Sequence, residues 1–202
     1  MKYSCFLYVL LSAATPCAPA MSADFSDPTW PCIQKKVEDL SLGVMWPHPV
    51  PDAPLRAELD DAPALVATLA LRRVSLEEAD RLIENFAQTH GDLTTDELGQ
   101  IFKQVFDRIK ADRRAIIKGI ERYSQKQIAL SEAIDETRVA MDTNMAAENP
   151  DFDEVDRLEE KLDWDERIFH DRAQSLTYVC ETPVLLEKRA YAIAQALLKH
   201  AP

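Results

Sequence analysis

Two segments dominate the chain. Residues 95–147 and 151–199 each carry apolar side chains at alternating steps of three and four, and only Glu148-Asn149-Pro150 separates them. Phe102, Val105, Ile109, Ile116, Tyr123, Leu130, Ile134 and Met141 keep this spacing in the first arm. Val155, Leu158, Leu162, Phe169, Leu176, Leu186, Ile193 and Leu197 keep it in the second. Such a repeat holds one face of a helix towards a neighbouring helix over many turns. A short break containing proline then turns the second helix back along the first. The expected fold is all-α: a small helical bundle as a base, with a long antiparallel, coiled-coil-like hairpin of two helices.

Composition agrees with this reading. The 202 residues include only four glycines, and Ala, Leu, Glu, Asp, Lys and Arg are abundant. Pairing the arms about the turn joins residues whose numbers total about 299 into common layers. Met141 then meets Leu158, Leu130 meets Phe169, Tyr123 meets Leu176, and Val105 meets Ile193. Three expected layers are polar: Asp112 opposite Leu186, Gln127 opposite Arg172, and Ile134 opposite Asp165. Polar groups in such a seam generally fix register and lower stability. Thr182-Pro183 resembles a cap followed by a first-turn proline, so a kink or a break is expected there.

Shorter elements precede the arms. Pro31 is placed to start a helix with Ile33, Val37 and Leu40 on one face and Gly43 at its end. Four prolines within Met45–Pro54 exclude helix and favour an extended strap, read first as a lid over the core. If a ligand site lay beneath this strap, Trp46 and His48 would line it. Asp61 and Pro63 open a short helix through Leu65 and Leu69. Ser75 with Glu78, Thr94 with Glu97, and Asp151 with Glu154 have the spacing that caps a helix start.

Residues 1–20 read as a secretory signal peptide: Lys2, a mostly apolar run from Tyr3 to Ala14, and the small-x-small site Ala18-Pro19-Ala20. The apolar run falls well short of the roughly 20 residues needed to span a bilayer. The expectation is an exported protein, periplasmic or secreted, with residues 21–202 forming one helical domain and residues 24–93 supplying its short helices and strap. Removal of the leader takes away Cys5 and Cys17 and leaves Cys32 and Cys180, a pair expected to form a disulfide in an oxidising compartment.

The formal charge of −12 argues against nucleic acid or anionic lipid as the principal partner, and stable membrane insertion is not expected after cleavage. The charge is unevenly spread. Glu148 to Glu166 holds ten acids against Arg157 and Lys161, whereas Lys103 to Lys126 holds eight bases against Asp107, Asp112 and Glu121. Phe152 and Trp164, with Asp163 and Asp165, therefore form the candidate partner-binding set at the hairpin tip. No phosphate-cradling glycine loop, zinc-protease motif, nucleophile elbow or haem-attachment motif occurs, and no cofactor or metal is expected. The leading functional expectation is an exported adaptor, holder or assembly factor acting through protein contact, with a basic-surfaced partner or a second copy. A ligand-binding protein or enzyme with its site under the Met45–Pro54 strap, and a structural homodimer, are the alternatives.

Overall fold

The computed structural model describes residues 27–202. The proposed leader, its cysteines and the first residues after it lie outside the described segment. Five helices follow in order: α1 (Leu42–Met45), α2 (Ala62–Ala70), α3 (Leu76–Thr89), α4 (Thr95–Met145) and α5 (Phe152–Leu198). No strand occurs among the described residues. The two heptad arms are α4 and α5, and they pack along each other as the dominant contact of the fold.

Helix boundaries follow the capping residues. Thr94 and Glu97 form a reciprocal capping box at the start of α4. Ser75 accepts the Glu78 amide at α3, and Asp151 accepts the Glu154 amide at α5. The turn is closed from the α4 side, because the Asn144 side chain accepts the Asp151 amide at 2.9 Å and donates to the Asp151 carbonyl at 3.3 Å. No helix of the described residues is long and apolar enough to cross a membrane.

The core sits at the base. Leu65, Val66 and Leu69 of α2, Ile83 and Phe86 of α3, Leu98 to Ile109 of α4, and Leu186 to Leu197 of α5 converge there. A smaller cluster of Trp30, Cys32, Ile117, Ile120 and Cys180 continues the interior up the hairpin. Beyond the crossing of residues 28–34, which reaches as far as Ser131 and Phe169, the two long helices cover only each other. At 1.5 Å per residue, α4 from residue 121 to Met145 extends about 37 Å past the base.

Three expectations are corrected. Residues 31–40 form no helix. Trp30 and Cys32 are buried and Gln34 and Lys36 half-buried, while Pro31, Ile33, Lys35 and Val37 face solvent. This two-residue alternation belongs to extended chain, so Ile33, Val37 and Leu40 do not share a face. Gly43 does not end a helix from Pro31 but lies inside the single turn α1. Secondly, Pro183 does not break the second arm, because α5 runs unbroken through it. The carbonyl that loses its helical donor belongs to Val179, which is exposed and can be served by solvent. Thirdly, the seam residue next to α5 is Arg113, 3 % exposed, whereas Asp112 faces outward.

The Met45–Pro54 strap is a lid, and its anchor is Trp46. The indole is 1 % exposed and stacks on Phe102 with ring centroids 5.5 Å apart. Gly99 admits this approach, since a Cβ there would lie 2.9 Å from Trp46 Nε1 and 3.2 Å from Val50 Cγ2. Gln100 secures the strap further by donating to the Ala53 carbonyl at 2.8 Å. Gly119 lies in the same helix with nothing within 4 Å of its virtual Cβ.

These two glycines predict opposite responses to alanine. Gly119→Ala gains helix propensity without a clash and should stabilise the protein by about 0.5–1 kcal/mol. Gly99→Ala gains the same propensity but overpacks Trp46, a change that costs roughly 1–3 kcal/mol, and should be net destabilising. Urea denaturation measures both, and Gly99→Ala should also shift tryptophan emission to the red.

Candidate functional site

The tip residues do not all come together. Phe152 is 63 % exposed and Trp164 is 61 % exposed. Twelve residues of one helix separate them, about 18 Å along the axis and about 120° around it. Phe152 instead heads an exposed stripe with Asp156, Glu159 and Asp163 at helical spacing. Trp164 stands on the adjoining face, in a shallow recess of about 500 Å³ that it shares with Arg157, Glu160, Lys161, Asp163 and Arg167.

Asp165 has another occupation. Its side chain is 18 % exposed and pairs with Lys161 at 2.8 Å, and the same ammonium donates to Thr137 of α4 at 2.9 Å. The group therefore ties α5 to α4 across the seam. Similar links consume other tip acids: Glu166 pairs with Arg138 of α4, and Glu154 pairs with Arg157. Among the described residues Glu148, Asp151, Asp153, Asp156, Glu159, Glu160 and Asp163 make no ion pair, so the negative field of the tip is concentrated on them. Half of the basic stretch of α4 is engaged in a similar way, and Arg108, Lys118, Arg122 and Lys126 make no ion pair among the described residues. Lys103 pairs with Asp107, Lys110 and Arg114 pair with Asp39, and Arg113 is buried.

Trp46 and His48 occupy different environments. Trp46 fills the space beneath the strap, while His48 is exposed with its ring 6.1 Å from the indole in an edge-on arrangement. A larger apolar groove lies elsewhere, where residues 31–34 cross the hairpin. Its volume is about 520 Å³, and its walls include Ile33, Ile128, Phe169 and Leu176.

This groove owes its shape to the cross-link. Cys32 and Cys180 form the expected disulfide, with Cα atoms 5.5 Å apart and 148 residues between them in sequence. Around it, Ser124 donates to the Pro28 carbonyl at 3.0 Å, and Trp30 Nε1 donates to the Gln34 carbonyl at 2.7 Å. Charged contacts hold the strand on either side. Lys36 bridges Asp27 at 3.2 Å and Glu121 at 2.6 Å, and the Glu121 hydrogen bond lifts the ammonium above its ordinary range. Hydrogen bonds from Thr29 hold the Asp27 carboxyl below its usual value, and Arg114 does the same for Asp39.

Sequence reading missed the two buried arginines. Arg113 donates to the carbonyls of Pro183 and Glu38, each at 3.2 Å, and so connects α4, α5 and the extended strand. Arg189 donates to the Leu69 carbonyl at 2.9 Å and the Val74 carbonyl at 2.6 Å, receiving the chain as it leaves α2. Burial pushes both guanidinium groups below their ordinary range. Their signal in the sequence is only a cation at a position where an apolar residue would fit the repeat. No protein-family model matches the chain, and no curated protein or solved structure is detectably similar to it.

Breaking the disulfide should release the extended strand. Closing a loop of 148 residues corresponds to about 5 kcal/mol in the chain-entropy description. Cys32→Ser with Cys180→Ser should lose a large part of that stability in denaturant titrations and expose Trp30 to quenchers. With the disulfide intact, the strand should also respond to pH. The lowered Asp27 and Asp39 values contribute stability above about 3.8, and it is lost as pH falls through the folded values. The raised Lys36 value contributes below about 10.5, and it is lost as pH rises through the folded value. Hydrogen exchange corrected for intrinsic rates should show amides 27–40 best protected between those limits, with modest losses because the groups are solvated.

Proposed function

We propose that this protein is an exported helical adaptor, holder or assembly factor that works through protein contact at the far end of its hairpin. The observation that carries this reading is Trp164, a large aromatic side chain 61 % exposed on a stalk that projects beyond the core. Exposed aromatics flanked by charge are the usual anchors of protein interfaces. The unpaired acids of the adjoining stripe, Asp156, Glu159 and Asp163, would orient a basic surface and raise its rate of encounter, while Arg157, Lys161 and Arg167 share the Trp164 recess with Glu160.

The base suits this role, because it holds the stalk without taking part in the contact. A basic surface on another protein and the basic stretch of a second copy both have the charge to meet the tip. Of the eight cations between Lys103 and Lys126, four are paired or buried, and Arg108, Lys118, Arg122 and Lys126 make no ion pair among the described residues. Asp165 is omitted from the contact set, since its pairing with Lys161 supports the stalk itself.

Cross-linking in the native envelope, followed by affinity recovery, tests the proposal. Trp164→Ala with Asp163→Asn should lose the partners recovered by the wild type while retaining its helix content and melting temperature. Recovery of an unchanged set of partners would sink the tip-directed reading. Light scattering at low and high salt separates the homodimer, because a monomer under both conditions excludes it.

A further inference from the structure

The groove at the disulfide is the lower end of a longer surface. On α5, Phe152, Glu159, Glu166, Ala173 and Cys180 recur at steps of seven, and Asp156, Asp163, His170 and Thr177 form the neighbouring column. Steps of seven return to nearly the same side of a helix. Ala173, Thr177 and Cys180 line the groove, so the acids above them lie on the same side of the hairpin. Helix α4 agrees, because Ser131 lines the groove and Arg138, seven residues on, bridges to Glu166. Ile128, Asp135 and Asp142 follow at the same interval, and all three are exposed.

This surface is apolar below and acidic above. Ile33, Ile128, Phe169 and Leu176 wall the groove, whose volume is about 520 Å³, and Ile33 is 78 % exposed. Towards the tip, Asp142, Asp156, Glu159 and Asp163 make no ion pair among the described residues. The cations of this part of α5, Arg157, Lys161 and Arg167, line the Trp164 recess on the adjoining face. From Phe152 to Cys180 the columns run about 42 Å at 1.5 Å per residue.

That length and repeat select the occupant. Heptad columns recur about every 10.5 Å, the period of a third helix laid beside the hairpin, whereas one face of an extended peptide recurs about every 6.6 Å. Charge complementarity makes the upper part of such a helix basic, and the groove makes its lower part apolar. A second copy fits less well. Its α4 has free cations at Arg108, Lys118, Arg122 and Lys126, but among the described residues no exposed large hydrophobic side chain lies between Lys103 and Lys126 to fill the groove.

We propose that a partner protein lays an amphipathic helix along this side of the hairpin. Its large apolar residues pack on Ile33, Ile128, Phe169 and Leu176, and its Lys or Arg residues, spaced three and four apart, face Asp156, Glu159 and Asp163. This names the partner of the tip, and it rests on the reading that the tip works by meeting a basic surface. The groove is set in advance by the Cys32–Cys180 bond and by the Ser124 hydrogen bond to the Pro28 carbonyl, so little ordering of this side is needed. Apolar burial holds the helix, and the acids set its direction and rate of encounter.

A synthetic peptide of about 28 residues, the helical length of the columns, tests this. Leucine occupies the heptad face of one half and lysine that of the other, on an alanine–glutamine background, and both chain directions are made. Fluorescence anisotropy with the oxidised protein should show one direction binding at least about tenfold tighter than a scrambled peptide of the same composition and than its glutamate counterpart. Asp156→Asn with Glu159→Gln and Asp163→Asn should weaken binding by about tenfold. Glu148→Gln with Asp153→Asn and Glu160→Gln removes the same charge from other sides of the tip and should change it by less than about threefold. Ile33→Glu alters an exposed side chain and should also weaken binding by about tenfold. Trp164→Ala should leave peptide binding unchanged, so absent peptide binding beside a loss of native partners in Trp164→Ala would leave the tip reading standing and remove this one. No preference over the scrambled peptide in either direction, equal losses in the two triple variants, or full binding by Ile33→Glu overturns the inference. Light scattering that finds the protein alone in a complex lost in the Asp156, Glu159 and Asp163 variant gives this face to a second copy and overturns it as well.

Discussion

Everything in this molecule depends on the register between α4 and α5. Apolar heptads alone specify that two helices pack, but they tolerate a slip of one heptad at modest cost. Here polar side chains of α4 reach carbonyl oxygens of α5 at fixed intervals. Arg113 reaches Pro183, Tyr123 reaches Arg172, and Gln127 reaches Phe169. Numbers rise along one helix as they fall along the other, so a slip would break all three contacts at once. Higher up, Lys161 reaches Thr137 and Arg138 reaches Glu166, and the same alignment is held by groups from both sides. Each contact contributes little net stability, yet a buried donor left unpaired costs more than the bond contributes. The asymmetry is what makes the alignment unique.

The buried arginines extend this logic to the rest of the chain. A guanidinium has five donors in a rigid plane, so one side chain can collect carbonyls from several segments. Arg113 joins the extended strand to both long helices, and Arg189 joins α5 to the exit of α2. The nearest carboxylate to Arg113 is Glu187 at 3.9 Å, and Arg189 has no ion pair among the described residues. Backbone carbonyl dipoles therefore do most of the work of solvating these charges. Arg189 Nη2 is buried without a partner, and such a group lowers stability.

The parts of the fold legible in the sequence are those governed by local rules. Capping at Thr94, Ser75 and Asp151 could be read because an N-cap interaction spans three residues. The arms could be read because their repeat persists over many turns. The strand at 30–40 could not, because Ile33, Val37 and Leu40 have helical spacing while the buried set, Trp30 and Cys32, has a period of two. Its conformation is decided by Cys180 and Ser124, which lie 148 and 96 residues from their partners. Asp112 and Arg113 show a related difficulty: a heptad pattern locates a seam only to within a residue where it is interrupted by polar side chains. At the candidate site, the exposure of Trp164 and Phe152 was inferable, but the withdrawal of Asp165 into an ion pair was not. Ion pairing depends on which rotamers meet across two helices, and that is not encoded within one of them.

Stability must therefore fall from base to tip. The lower third of the hairpin is covered by α2, α3 and the Trp46 strap, whereas the upper part has only the opposite helix to exclude water. Local opening is easiest where few apolar contacts surround the backbone. The cross-linked strand lies at the boundary between these regimes, where Trp30, Cys32, Ile117, Ile120 and Cys180 form the last compact cluster. It marks the limit of the covered base, and it leaves Ile33 exposed at the edge of the groove it creates.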